Sequence, residues 1–205
     1  MTDYEISHPL FAAVYDPLVP EERLFADHRE YLAEGLGGTV LDLGTGTGAN
    51  LPHLGDVDLH AVEPDPHMRR RAERRARDLG IAVEIRGDRA EALSYRDGTF
   101  DAVLSAVVFC TIADPDAALA EVARVLKPGG EFRFLEHVRD DGWREHLQRA
   151  IDPVWTRLAG GCHLTRDTVG AFVSHDAFDV VEIERVDAGV TPARPFVRGR
   201  LRRRA

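Results

Sequence analysis

Lysine occurs once, at Lys127, and cysteine twice, at Cys110 and Cys162, in a chain of 205 residues. The cysteines stand 52 positions apart with no Cys-x-x-Cys pair, a spacing that excludes a disulfide scaffold and offers no structural zinc motif. No metal is expected, and stability must come from a core. Long apolar runs are missing too: the longest, such as Ala102–Cys110, reach roughly ten residues, about half a membrane span. The first residues, Met1-Thr2-Asp3-Tyr4-Glu5, lack the basic-then-apolar pattern of a secretory signal. The chain therefore reads as a soluble, cytoplasmic protein with no integral membrane segment. Its length suits one globular domain.

Positive charge is scarce over most of the chain. Net charge is −9, yet six of the 26 cationic residues fall within the last twelve positions, where there is no acid, so residues 1–193 carry −15. An acidic body of this kind excludes a nucleic-acid groove as the main function, because phosphate binding is driven by clustered positive charge. The arginine-rich tail alternates through Phe196, Val197, Gly199 and Leu201, which predicts a final edge strand with charged outward positions.

Short β-branched or apolar runs alternate with stretches of helical spacing, the pattern of an α/β domain with a mostly parallel sheet. Seven strands are predicted, at Thr39–Leu43, Asp58–Glu63, Ala82–Arg86, Phe100–Val107, Glu131–Val138, Phe178–Val186 and Phe196–Arg202. Two helices, Ser7–Tyr15 and Glu21–Gly35, precede the sheet, broken apart at Pro17 and Pro20. Helix Pro66–Leu79 aligns Met68, Ala72, Ala76 and Leu79 on a docking stripe and leaves its arginines solvated. Helix Asp114–Leu126 has an Asp cap and Pro115 in its first turn, and stops at Lys127-Pro128-Gly129-Gly130. A last stripe, Trp143, Leu147, Ile151, Val154, Trp155 and Leu158, reads as core or as the roof of a hydrophobic pocket. The expected organisation is one domain: a helical cap over 1–36, a cofactor-binding core over 37–138, and a helical insert with C-terminal strands over 139–205.

The chemistry is concentrated in Val40-Leu41-Asp42-Leu43-Gly44-Thr45-Gly46-Thr47-Gly48, a strand running into a glycine-rich turn that is expected to open a helix. Glycines belong where backbone turns sharply and approaches a ligand closely. Glu63 follows Asp42 by twenty-one residues, which puts a carboxylate beside the turn, placed to accept bonds from both ribose hydroxyls of a nucleoside. Gly44-x-Gly46-x-x-Ala49 also fits a dinucleotide fingerprint. Asp42 separates the two cases: a carboxylate there repels a pyrophosphate but can bond the ammonium of an amino-acid moiety. S-adenosylmethionine carries that ammonium and no phosphate, so an NAD-linked oxidoreductase is disfavoured.

With these residues in view, the chain resembles the class I S-adenosylmethionine-dependent methyltransferases over nearly its whole length. Leu41–Gly48 is similar to the family's first motif; Gly87–Leu93 followed by Asp97–Val103 resembles its adenine loop and fourth strand; Arg124–Gly130 resembles the turn before its fifth strand. The resemblance implies a three-layer Rossmann-like fold with a mostly parallel seven-stranded sheet, and S-adenosyl-L-methionine as cofactor. It further implies cofactor contacts from Asp42, Gly44, Thr45, Gly46 and Gly48, from Glu63 and Pro64, from Asp88, Ala90 and Glu91, and from Ser105. Between Gly87 and Leu93 this chain has one residue more than the commonest family spacing, so the partner of the adenine amine stays open between Asp88 and Glu91. Downstream, Phe134–Val138, Asp152–Trp155 and Gly161–Thr168 resemble the methyltransferase-like 7 group, the alkyl thiol methyltransferases. The expected partner is a small-molecule methyl acceptor.

Methyl transfer from a sulfonium is an in-line displacement, so alignment and exclusion of water matter most. A thiol needs little help to ionise near neutrality, whereas an amine or phenol needs a base. His137, expected at the C-terminal end of the fifth strand, is the candidate catalytic base or orienter; Tyr15 and His163 are secondary pocket residues, and Cys162 reads as a packed small side chain. Three further functions stay open: methylation of a phospholipid amine or quinone ring, cofactor binding without catalysis, and the NAD-linked oxidoreductase.

Overall fold

The computed structural model describes residues 6–18, 21–186, 188 and 193–205; Met1–Glu5 and Pro20 therefore lie outside the described residues. Seven strands form one sheet: β1 Thr39–Leu43, β2 Asp58–Val62, β3 Glu84–Arg86, β4 Phe100–Ala106, β5 Leu126–His137, β6 Phe178–Val186 and β7 Phe196–Arg203. Their spatial order is β3-β2-β1-β4-β5-β7-β6. β1 to β5 run parallel, and β7 is antiparallel to both of its neighbours. β7 is thus an inner strand and β6 the edge, which corrects the expectation of a terminal edge strand. The arginines of β7 alternate as predicted, but they meet acids: Arg198 binds Glu184 at 2.8 Å, Arg200 binds Glu182 at 2.6 Å, and Arg202 binds Glu131 at 3.3 Å.

Parallel strands are covered on both faces, so their residues are apolar in succession and split between two cores. Leu41, Leu43, Val103, Phe132 and Phe134 belong to one core with Phe109 and Phe172; Val40, Leu104 and Leu135 belong to the other with Phe25, Leu32 and Phe196. The first core lies under helices α4 (Pro115–Val125) and α6 (Thr168–Ser174), and the second under α2 (Glu21–Ala33) and α3 (Pro66–Leu79). Edge-on ring contacts of 4.7–5.2 Å join Phe172 to Phe109, Phe132 and Phe134, adding geometric preference to the burial of large side chains. Arg133, 5% exposed, fastens α2 to the sheet by donating to the carbonyls of Leu32 (3.0 Å) and Glu34 (2.6 Å).

Several local expectations change. α1 runs Pro9–Leu18, so Pro17 sits inside the helix rather than ending it. α3 buries Met68, Ala72 and Ala76 but leaves Leu79 48% exposed, at the C-terminus where Gly80 turns away with φ +69°. α5 spans Trp143–Leu158 as predicted, yet its stripe is not core: Trp143 and Leu158 are 71% and 72% exposed, and Gln148 is its buried residue. The Lys127–Gly130 turn is absorbed into β5, where the pairing jumps from Phe100–Leu126 to Ala102–Glu131. α6 has no counterpart among the predicted helices.

Candidate active site

The strand ends of β1, β2, β4 and β5 converge on one cavity of about 720 Å³, a volume suited to a cofactor together with a small substrate. Its floor is the glycine turn. At Gly44 φ is +66°, and a Cβ would lie 2.6 Å from the Val108 side chain, so only glycine lets the turn close against the exit of β4. Gly48, at φ +86°, serves packing instead: a Cβ there would lie 2.8 Å from Leu51 and 3.2 Å from the backbone of Ala72 in α3, and Gly48 does not border the cavity. The helix expected after the turn is a three-residue 3-10 helix, Leu51–His53, with Pro52 in its first turn.

Glu63 follows β2 and ties the turn in place. Its Oε2 accepts the Gly46 N–H at 2.9 Å and its Oε1 the Asp65 N–H at 2.9 Å. It is 8% exposed and borders the cavity. Burial pushes its carboxyl up to about 7 despite the opposing pull of those two N–H groups. Each carboxylate oxygen retains lone pairs for further donors. Beside it the Thr45 hydroxyl borders the cavity, buried and without a hydrogen-bond partner among the described residues. Buried polar groups in this state call for a ligand atom or water, so the turn, Thr45 and Glu63 fit a nucleoside. Pro64 continues the same wall.

Asp42 is wholly buried behind the turn rather than on the cavity wall. It accepts the Asn50 amide at 2.6 Å, and Asn50 in turn accepts from the Arg29 guanidinium. Asn50 and Arg29 border the cavity, so Asp42 is linked to the wall through two residues with no counterpart among those expected from the sequence. Asp88, Ala90 and Glu91 all border the cavity; Asp88 holds its loop by accepting Ser94 N–H at 2.8 Å, and Glu91 pairs with Arg89 at 3.1 Å. Ser105 does not reach it. It is buried and donates to Glu136 Oε1 at 3.1 Å; Ala106 at the end of β4 and Val107 and Val108 beyond it take its place on the wall.

That same Glu136 oxygen gathers the N–H groups of Val108 (2.9 Å) and Phe109 (3.1 Å). The chain can offer both because Val107 takes φ +61°, a strained conformation for a β-branched residue. Burial raises the Glu136 carboxyl above its usual range, against the pull of these donors.

Next to Glu136, at the end of β5, His137 is 1% exposed and borders the cavity as expected. Its Nε2 lies 3.0 Å from Cys162 Sγ, and its Nδ1 is buried with no partner among the described residues. Cys162 is no inert filler: Trp155 Nε1–H donates to its sulfur at 3.3 Å. The thiol of Cys110 and the imidazole complete the set of donors that draws the Cys162 thiol below its usual range, against the cost of burial. Burial lowers the His137 imidazole, but the Cys162 bond and charge outweigh it and the net shift is upward. Cys110, Cys162 and Trp155 all border the cavity.

Phe11, Tyr15, Phe25 and Phe196 add aromatic surface to the same cavity. α1 is drawn over the opening by His8, whose N–H donates to Asp65 at 2.6 Å, and Gly160 lets the turn after α5 approach: a Cβ there would lie 2.8 Å from the Phe11 ring. His163 stays outside, 3.6 Å from Asp152.

A family model described as a methyltransferase domain matches residues 41–134. The chain is 33% identical over 168 residues to thiol S-methyltransferase TMT1B of Rattus norvegicus, covering 78% of this chain and 68% of that protein. It is 28% identical over 201 residues to thiol S-methyltransferase TMT1A of Homo sapiens, covering 92% of this chain and 81% of that protein. Among solved structures, geranyl diphosphate C-methyltransferase from Streptomyces coelicolor A3(2), crystallised with S-adenosyl-L-homocysteine, matches with a TM-score of 0.70 at 18% identity, over 93% of this chain and 81% of that one. At that identity the likeness speaks to the fold.

Proposed function

The chain belongs to the S-adenosylmethionine-dependent methyltransferases, and on that premise we propose that it carries the methyl group to the sulfur of a small alkyl thiol. One observation carries the choice of acceptor. His137, on the cavity wall, is engaged through Nε2 with Cys162 at 3.0 Å, and against the cost of burial that contact shifts the imidazole toward its protonated form, which takes no proton from an amine or phenol. A thiol needs no such service, because a useful fraction is already anionic near neutral pH. The names of the relatives TMT1A and TMT1B point the same way.

In this reading the cofactor supplies an electrophilic methyl group on a sulfonium. The chain's residues bind and align. Glu63 accepts the ribose hydroxyls, and Thr45 with the Gly44–Gly46 backbone lines the nucleoside. Asp88, Ala90 and Glu91 surround the adenine. Arg29 and Asn50, backed by Asp42, meet the carboxylate and ammonium of the amino-acid end. Phe11, Tyr15, Phe25 and Phe196 exclude water from the acceptor and confine it to an in-line approach. His137 lies at the acceptor end in a positioning role. The placement in the cytoplasm belongs to the same proposal: among the described residues no helix is long and apolar enough to cross a membrane.

The test is an acceptor screen with methyl-labelled S-adenosylmethionine against alkyl thiols, phosphatidylethanolamine vesicles and a quinol. Labelled thioether is the expected product. Methylation of the amine or quinol with no thioether would overturn the thiol assignment.

A further inference from the structure

Two cysteines that the sequence separates by 52 positions meet a histidine in the cavity wall, and the three donors come from three different segments. Cys110 follows β4, His137 ends β5, and Cys162 lies in the turn after α5. All three side chains are buried, at 0%, 1% and 8% exposure, and one ligand atom from each lies within 4.8 Å of the others. We propose that Cys110, Cys162 and His137 bind a zinc-class divalent cation, whose remaining coordination position faces the cavity and receives the acceptor's sulfur. The cation site stands on the cluster alone; the role of its open position rests on the thiol reading above.

The donor types decide the ion. Two sulfurs and an imidazole form the soft-to-borderline set that favours zinc over calcium or magnesium, and three protein ligands with one open position is the arrangement of a reactive rather than a structural site. Zinc bonds of about 2.3 Å to sulfur and about 2.0 Å to nitrogen place tetrahedral ligand atoms roughly 3.5–3.8 Å apart. The cluster approaches this spacing, with the His137–Cys162 pair at 3.0 Å needing to open slightly.

The frame around the cluster is already fixed. His163 N–H donates to the Cys110 carbonyl at 3.0 Å. The Arg166 guanidinium holds the carbonyls of Phe109 at 2.5 Å and Ile112 at 2.6 Å. These bonds tie the two cysteine-bearing loops together without help from the sulfurs themselves. Trp155 Nε1–H, 3.3 Å from the Cys162 sulfur, supplies the outer hydrogen bond that metal-bound thiolates commonly receive. A disulfide between the cysteines would waste this arrangement, since it would leave Trp155 Nε1–H and His137 Nε2 facing a sulfur that accepts hydrogen bonds weakly.

The chemistry balances without a further reactant. The acceptor thiol displaces the water at the open position and its S–H proton leaves with solvent. A lone pair of the bound thiolate then forms the S–CH3 bond while the methyl–sulfonium bond breaks, its electron pair remaining on the cofactor's sulfur. The products are S-adenosylhomocysteine and a neutral thioether, a much weaker ligand that departs.

The experiment uses the full chain purified under a trialkylphosphine, which keeps both thiols reduced. Zinc is measured by plasma mass spectrometry, and the metal-depleted protein is titrated with cobalt(II) while its spectrum is followed. Near one equivalent of zinc per chain, and a cobalt adduct showing thiolate charge-transfer and four-coordinate ligand-field bands, are expected. Cys110→Ser and Cys162→Ser should each lower zinc affinity by at least a hundredfold with unchanged circular dichroism. Trp155→Phe, which keeps every ligand, should retain the metal with shifted charge-transfer bands. Less than a tenth of an equivalent of zinc with no cobalt spectrum would overturn the site. If an alkyl thiol shifts the cobalt bands, the open position is confirmed as the sulfur site. Full thiol methylation by metal-depleted enzyme would overturn the metal's role and leave the thiol reading standing, whereas a loaded site in an enzyme that methylates no thiol would overturn the thiol reading and leave the cation site standing.

Discussion

Glu63 gives the sharpest handle on the cofactor site because its charge opposes the fold that holds it. Burial raises its carboxyl from 4.5 to about 7, and at about 1.4 kcal/mol per unit this is about 3 kcal/mol of differential stability. The native state binds the proton more tightly than the unfolded chain, so this share of stability is fully present below about pH 4.5 and is lost as pH rises through about 7. Glu63→Gln is neutral throughout and removes the slope. It also turns one backbone acceptor into a donor facing the N–H of Gly46 or Asp65, a cost of about 1–3 kcal/mol at every pH. The variant should therefore be less stable than the parent in acid and should gain on it by about 3 kcal/mol between pH 4.5 and 8.5. Urea denaturation of both proteins at matched pH measures this, because other titrating groups such as Glu136 cancel in the difference. In the proposed complex, ribose hydroxyls donating to Glu63 favour its charged form. Cofactor binding near pH 7 should then release roughly half a proton, and affinity should fall as pH drops, approaching tenfold per unit. Calorimetry in buffers of different ionisation enthalpy reads the released proton. Parallel stability curves for the two proteins, together with proton-neutral binding, would refute the reasoning.

Three further outcomes follow from close contacts. Gly44→Ala must place a Cβ 2.6 Å from Val108 at φ +66°, so it should cost about 2–4 kcal/mol in thermal or urea unfolding and weaken cofactor binding at least tenfold. Gly199→Ala, whose Cβ would lie 2.6 Å from the Glu182 carbonyl and 2.7 Å from the Phe134 ring, should lower stability by about 2–4 kcal/mol, seen as a lower urea midpoint. Arg133→Ala removes donors to Leu32, Glu34 and Glu131; a loss of about 2–3 kcal/mol is expected, with amide hydrogen exchange accelerating first in α2.

The strands were readable in the sequence because each is a β-branched or apolar run bounded by glycine, proline or a helix cap, and Asp42, the glycine turn and Glu63 because their spacing reports a strand–turn–strand unit. Periodicity on α5 shows a stripe that fits either core or the roof of a pocket, because it does not say what covers it; the structure puts Trp155 and Leu158 on the cavity wall and leaves Trp143 exposed. Seven residues are too few for α6 to show a period. Ser105 lies just inside β4, and it is the end of the strand and the loop beyond it, Ala106 to Val108, that line the cavity; periodicity does not report where a strand stops. Asn50 could have been found eight residues after Asp42, as the amide the carboxylate needs once it is buried. Arg29 and the pairing of Cys110 with Cys162 left no local trace, since each depends on segments far apart in sequence meeting above the sheet.

The position of β7 between β5 and β6 has a consequence for how the protein is made. Among the described residues β6 pairs only with β7, so a nascent chain that has emerged from the ribosome as far as Val186 holds a sixth strand without that partner and a fifth strand with one open edge. Residues 196–203 close both gaps in a single event, burying Phe196 and Leu201 and bringing the arginines to their acids. Until then the exposed backbone of β5 is a template for other chains. Synthesis slowed late in the message, or a truncation that trims only β7, should therefore drive the protein toward aggregation rather than toward a smaller folded core.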